Sequence, residues 1–273
     1  MMLPKSSFLT GCGLMMILAC AAQSAERAKL VTYAKTHRPD YAALWAQKSQ
    51  AGAPETFMIS EGEFMLSGIE DAALRRVPFH HIASAFSDAL ESRGLKAAEQ
   101  SRNADVIIVV HRGRTRPNAG IQRATSVGAQ SNRVRQTNAV INSGSNLNEV
   151  ARLLGFQDEL ERASHTRDNR ALSYQLRDVI EELKQERYFL VIAAYDMRAN
   201  RAGSPNALLW ETRLSFTADG HAFADRYAAM ISAGADYFGQ DTAGKLQREF
   251  VTIPSPSDPE ARFDRSRSVA SNL

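Results

Sequence analysis

YFLVIAAYDMRANRAGSPNALLWETRLSF, residues Tyr188 to Phe216, contains two strand-forming runs joined by a turn-rich link. Phe189 to Ala194 is continuously apolar and rich in β-branched and aromatic residues, the pattern of a strand covered on both faces. From Leu208 the pattern alternates: Leu208, Trp210, Thr212, Leu214 and Phe216 fall on one face, and Leu209, Glu211, Arg213 and Ser215 on the other. This predicts a half-buried strand. The link from Arg198 to Asn206 carries Gly203, Pro205 and two asparagines, residue types that turns select. An antiparallel hairpin with a long loop is expected.

Upstream, Phe79, Ile82, Ala83, Phe86 and Leu90 recur at helical spacing, with Pro78 at the start and Gly94 just past the end. Asp105 then precedes Val106–Val110, a second inner strand. Between this half and the hairpin lies an insertion, 113–187, far longer than an ordinary connection. Its first part, 113–146, is polar and basic and predicts a mobile loop. Its second part, 147–187, carries apolar stripes at Val150, Leu153, Leu154 and Leu160, then at Leu172, Leu176, Val179, Ile180 and Leu183, and predicts a helical hairpin. After Thr217-Ala-Asp-Gly220, Phe223, Tyr227, Met230, Ile231, Gly234, Tyr237 and Phe238 form another wide helical stripe suited to covering the sheet. The tail, 254–273, has few hydrophobes and predicts disorder.

The amino-terminal part has the plan of an export signal over residues 1–25: Lys5, an apolar stretch from Phe8 to Leu18, then small residues. Two processing routes compete. Ile17-Leu-Ala-Cys20 resembles a bacterial lipobox, which makes Cys20 the lipidated first residue; ordinary cleavage near Ser24 or Ala25 is the other. Both cysteines of the chain, Cys12 and Cys20, lie in this segment, so the rest has no thiol for disulfides, catalysis or metal binding. Residues 26–54 read as a tether and a short helix broken at Pro39. Thr56–Ser60 reads as the first strand of a single α/β domain, 55–253. The predicted class is α+β: a mixed or antiparallel sheet covered by two amphipathic helices, with a helical-hairpin insertion and disordered termini.

The 273-residue chain is 44% hydrophobic and 23% charged with a formal charge of +3, which excludes disorder throughout and is too small to imply a nucleic-acid partner. The order strand, helix, strand, insertion, strand, strand, helix behind a lipoprotein-like signal resembles a group of uncharacterised bacterial envelope lipoproteins. The residues that carry the resemblance are Asn103-Ala-Asp-Val-Ile-Ile-Val-Val110 after the helix ending Leu90-Glu-Ser-Arg-Gly-Leu95, and Leu208-Leu-Trp-Glu-Thr-Arg213 after Leu190-Val-Ile-Ala-Ala-Tyr-Asp196. It implies a small α/β domain like that of the Tol propeller protein's amino-terminal part and the curli-secretion lipoprotein, and it transfers no catalytic residues.

Residues with chemical potential are few. His80-His81 lie about 100° apart on a helix, not at the i, i+4 spacing of a zinc-binding helix. His111 closes the inner strand, and with Asp196 or Glu211 it is the one candidate centre for an exported hydrolase. No Gly-x-Ser-x-Gly, Gly-x-x-x-x-Gly-Lys or Gly-x-Gly-x-x-Gly occurs, and no cofactor is implied. Glu181 and Glu182 read as a solvated helix face. Arg112, Arg114, Arg116, Arg123, Arg133 and Arg135 precede the first acidic residue of the insertion, Glu149. Guanidinium groups without local counter-charge attract phosphate and carboxylate, so they predict an anion-binding stretch. The expected function is a non-enzymatic, exported, periplasmic binding or assembly module, anchored through Cys20 if lipidated. Its expected partners are envelope proteins or anionic envelope lipids.

Overall fold

The computed structural model describes residues 26–66, 72–115, 147–165, 170–201, 208–220 and 222–253. The export segment with Cys20, most of the basic loop and the tail lie outside the described residues. Seven strands form one mixed sheet: β1 (Glu26–Thr36), β2 (Thr56–Leu66), β3 (Lys96–Ala97), β4 (Val106–Thr115), β5 (Arg187–Asp196), β6 (Leu208–Thr217) and β7 (Gln247–Ile253). Their order is β3-β2-β4-β5-β6-β1-β7. β2 runs parallel to β3 and β4, and every other pairing is antiparallel.

The central strand behaves as its composition requires. Arg187 to Ala194 are all buried, with β4 on one side and β6 on the other. Leu190, Ile192 and Ala194 face one layer of helices, while Phe189 and Val191 face another. The first layer holds α1 (Tyr41–Gln50), α2 (Ala72–Arg75), α3 (Phe79–Ser92) and α8 (Phe223–Gly234); the second holds α4 (Leu147–Leu154), α5 (Gln157–His165) and α6 (Arg170–Lys184). A short helix, α7 (Met197–Arg201), follows β5.

Aromatic packing knits the first layer. Trp210 of β6, 1% exposed, stacks on Phe238 at 5.8 Å between ring centroids, and Phe238 meets Phe86 of α3 at 5.7 Å. Such pairs add about 0.5–1.5 kcal/mol each beyond the area they bury. Arg226 of α8 is buried with its charge met, donating to the Thr217 carbonyl at 2.7 Å and the Glu26 carboxylate at 2.5 Å.

Three expectations need correction. Residues 26–54 hold the expected short helix, α1, but not a tether: Glu26–Thr36 is a strand between β6 and β7, so the sheet begins well before residue 55. Leu30 to Ala34 are buried consecutively because both faces of β1 are covered, which hides the alternation of an ordinary strand. The sheet is covered by helices on both faces, not by two helices alone. Among the described residues, 147–187 hold three helices rather than a hairpin, because α4 ends at Gly155, where the Phe156 amide donates to the Ala151 carbonyl at 2.7 Å. Gly94 ends α3 the same way, as its position predicts: the Leu95 amide donates to Leu90 at 3.1 Å. β4 also runs on to Thr115, into the start of the expected loop.

Gly155 has φ of +84°, and a Cβ there would lie 2.4 Å from the Tyr33 Cβ of the sheet. Gly155→Ala combines left-handed strain with overpacking and is expected to cost about 1–3 kcal/mol. Urea denaturation measures it as a lowered midpoint at unchanged slope.

Candidate functional site

His111 sits on β4 opposite Val191 of β5, half-buried, on the face of the sheet that α4–α6 partly cover. The β2–β4 register shifts between Glu61 and Phe64, and His111 occupies that irregularity. A Cβ on Gly62 would lie 2.5 Å from His111 Nδ1, so only glycine lets the strand pass the ring. The Glu63 amide donates to Nδ1 at 3.0 Å. An accepting Nδ1 carries no proton, so the imidazole is neutral with its proton on Nε2. Burial pushes its pKa below the ordinary value, against the opposing pull of the Glu63 carboxylate.

The carboxylates considered as partners of His111 are engaged elsewhere. Asp196 points to the opposite side of the sheet from Glu211, and its Oδ1 accepts from the Arg198 and Ala199 amides at 2.8 and 3.1 Å, starting α7. Glu211 is bound through both oxygens by Arg213 Nη2 at 3.2 Å. It lies on β6, two strands from His111, or about 10 Å by strand spacing. Asp196 and Glu211 do not come together either.

Two of the six arginines fall among the described residues, and both are structural. Arg112, 5% exposed, donates to the Val77 carbonyl at 2.6 Å and to Glu61 Oε1 at 2.7 Å. Arg114 binds Glu186 and lies over the Tyr188 ring at 5.2 Å. Two residues apart on β4 and opposite Leu190 and Tyr188, they share one face of the sheet, and each is tied to a carboxylate, so their assignment to an anion-binding stretch is withdrawn. Arg116, Arg123, Arg133 and Arg135 lie outside the described residues. His80 and His81 pack ring to ring at 4.2 Å on α3. Among the described residues, no group of three or more His, Cys, Asp or Glu side chains is placed to hold a metal ion.

The structure adds a feature absent from the sequence reading: a cleft of about 1050 Å³ between α5, α6 and the β1–β7 edge, lined in part by Lys29, Glu159, Asp178, Glu182, Leu246 and Arg248. Arg248 spans it, donating to Glu182 Oε2 at 2.8 Å and Glu159 Oε1 at 2.9 Å, and Lys29 reaches Glu182 Oε1 at 2.5 Å. Glu182 is therefore no solvated face. Burial alone would raise its carboxyl, but hydrogen bonds from Arg248 and Lys29 outweigh that and hold it below the ordinary carboxylate range. The same carboxylates raise the Arg248 pKa against its burial. Lys29 and Glu182 are 153 residues apart, and no local pattern signals their meeting.

No protein-family model and no curated protein matches the chain. Several solved structures are similar at low identity, three of them as follows. A PDZ domain protein from Parabacteroides distasonis is 10% identical with a TM-score of 0.41; the match covers 84% of this chain and 40% of that one, so this chain spans less than half its length. A PelC dodecamer variant from Paraburkholderia phytofirmans is 8% identical with a TM-score of 0.31, over 77% of this chain and 98% of that one. A DUF4136 family protein from Bacteroides thetaiotaomicron is 10% identical with a TM-score of 0.34, over 76% and 92%. None of the three is the Tol propeller protein or the curli-secretion lipoprotein.

The depressed Glu182 carboxyl gives a pH prediction. Its stabilisation is fully present above the unfolded carboxyl's value of 4.5 and is lost as pH falls through the lower folded value. Glu182→Gln is expected to lower stability at pH 7 and to flatten the acid limb of a plot of melting temperature against pH.

Proposed function

We propose that this chain is a non-enzymatic, exported envelope protein, a binding or assembly module held at a membrane by a lipid on Cys20. The observation that supports the non-enzymatic reading is the separate engagement of its candidate reactive groups. Nδ1 of His111 is taken by a backbone amide, Asp196 by the start of α7, and Glu211 by Arg213. The cleft is likewise lined by charges that neutralise one another: Arg248 and Lys29 meet Glu159 and Glu182 in pairs. A general base needs an unengaged lone pair within reach of a substrate proton, and no such group stands beside a nucleophile in these contacts.

The anchoring part of the proposal rests on Ile17-Leu-Ala-Cys20 after an apolar stretch. Cys20 lies six positions before the first residue of β1, a span of about 20 Å at full extension, so an acyl anchor would keep the sheet close to its leaflet. Mass spectrometry of the mature amino terminus tests it. An acylated Cys20 is expected, and an unmodified chain starting near Ala25 would overturn the anchor while leaving export intact.

Anionic envelope lipids or envelope proteins are the proposed partners. Arg116, Arg123, Arg133 and Arg135 are the arginines of the basic stretch that lie outside the described residues. Each Lys or Arg near an anionic surface contributes about 1 kcal/mol, so replacing all four by glutamine predicts roughly a thousandfold weaker low-salt partitioning onto phosphatidylglycerol vesicles. Arg112 and Arg114 stay in place because they hold the fold. Unchanged adsorption removes lipid from the partner list.

A further inference from the structure

The irregularity in β2 is fastened from both sides of the sheet. On one side the Glu63 amide donates to His111 Nδ1 at 3.0 Å, with Gly62 pressed against the ring. On the other, Arg112 binds the Glu61 carboxylate at 2.7 Å and, through the Val77 carbonyl, the turn before α3. Beyond the irregularity, Phe64, Met65 and Leu66 resume parallel pairing with Arg112, Gly113 and Arg114. The first fastening depends on an unprotonated Nδ1; the second contains no imidazole.

An imidazolium has a donor on each nitrogen and no acceptor. Protonating His111 therefore sets an N–H against the Glu63 N–H where a hydrogen bond had been. We infer that this irregularity is a pH-responsive latch: protonation of His111 at Nδ1 expels the Glu63 amide and releases Phe64–Leu66 from the Arg112–Arg114 edge of β4. The released edge is a row of unpaired backbone groups able to accept another strand. The bond lost is the one on the imidazole, and the proton comes from solvent.

The groups facing His111 set where the latch opens. From β2 the facing charge is Glu63, which favours the imidazolium. On β4 its same-face neighbours are Val109 and Gly113, and Val191 stands opposite on β5, none of them ionisable. Further along β5 on that face come Arg187 and Tyr195, four residues to either side of Val191, and across it on β6 stands Arg213. Burial of the ring opposes protonation and outweighs the pull of Glu63, so the latch opens below the pH at which a free histidine titrates.

The test follows imidazole ¹⁵N shifts and amide hydrogen exchange of the whole mature chain from pH 7.5 to 4.0, with exchange normalised to intrinsic rates. At pH 7.5 the proton is expected on Nε2. As the imidazole titrates, protection of the Glu63–Leu66 amides is expected to fall more than tenfold, while that of Leu190–Ala194 in β5 holds. Glu63→Gln removes the favouring charge and is expected to move the transition to lower pH; His111→Gln, which does not titrate, is expected to be flat across the range. Four outcomes overturn the latch: a proton on Nδ1 at pH 7.5, an imidazole still neutral at pH 4.0, protection that survives its protonation, or a wild-type pH slope in His111→Gln.

Discussion

Everything in this structure answers to the burial of β5 on both faces. A strand with Leu190, Ile192 and Ala194 on one side and Phe189 and Val191 on the other exposes apolar surface in both directions, so one layer of helices cannot shield it. Helices α1, α2, α3 and α8 cover one face. The insertion between β4 and β5 supplies the other layer, which explains why so long a connection is kept. Arg187, at the start of β5, shows the cost of such burial: desolvation lowers its pKa to about 10, though it donates to Ser215 Oγ at 3.1 Å and to the Ser215 carbonyl at 3.2 Å.

The second layer meets the sheet through charge as well as apolar contact. Arg248 and Lys29 are sheet residues, and Glu159 and Glu182 are helix residues, so the cleft between them is crossed by ties that fix α5 and α6 to β1 and β7. Pairs that are partly withdrawn from water and multiply hydrogen-bonded fix a geometry better than isolated surface pairs do. Here they govern where the inserted helices lie.

The sequence disclosed what short-range periodicity can carry. The hairpin, the stripe of α3 with its Gly94 terminus, the strand at Val106 and the stripe of α8 are each written within a dozen or so residues. β1 was illegible because covering both faces erases the alternation that marks a strand, and because its partners lie near the far end of the chain. The three-helix insertion was misread because the stripes of α4 and α5 run nearly in phase; the break at Gly155 is forced by its approach to Tyr33, a contact with β1. The candidate site was obscured for a related reason. Arg112 and Arg114 form a basic run only on paper: Glu61 and Glu186, distant in sequence, neutralise them once β4 is paired. The decisive neighbour of His111 is a backbone amide, which composition cannot reveal.

Placing β1 between β6 and β7 also orders events in time. Glu26 pairs with Ile253, so the first strand to be synthesised waits for the last before both its neighbours exist. Contacts this distant in sequence carry a large loop-closure entropy and form only once both ends of the described chain are present. Until then Leu30 to Ala34 remain an unclaimed apolar segment, and a nascent chain in that condition cannot close its sheet before its carboxy-terminal part arrives.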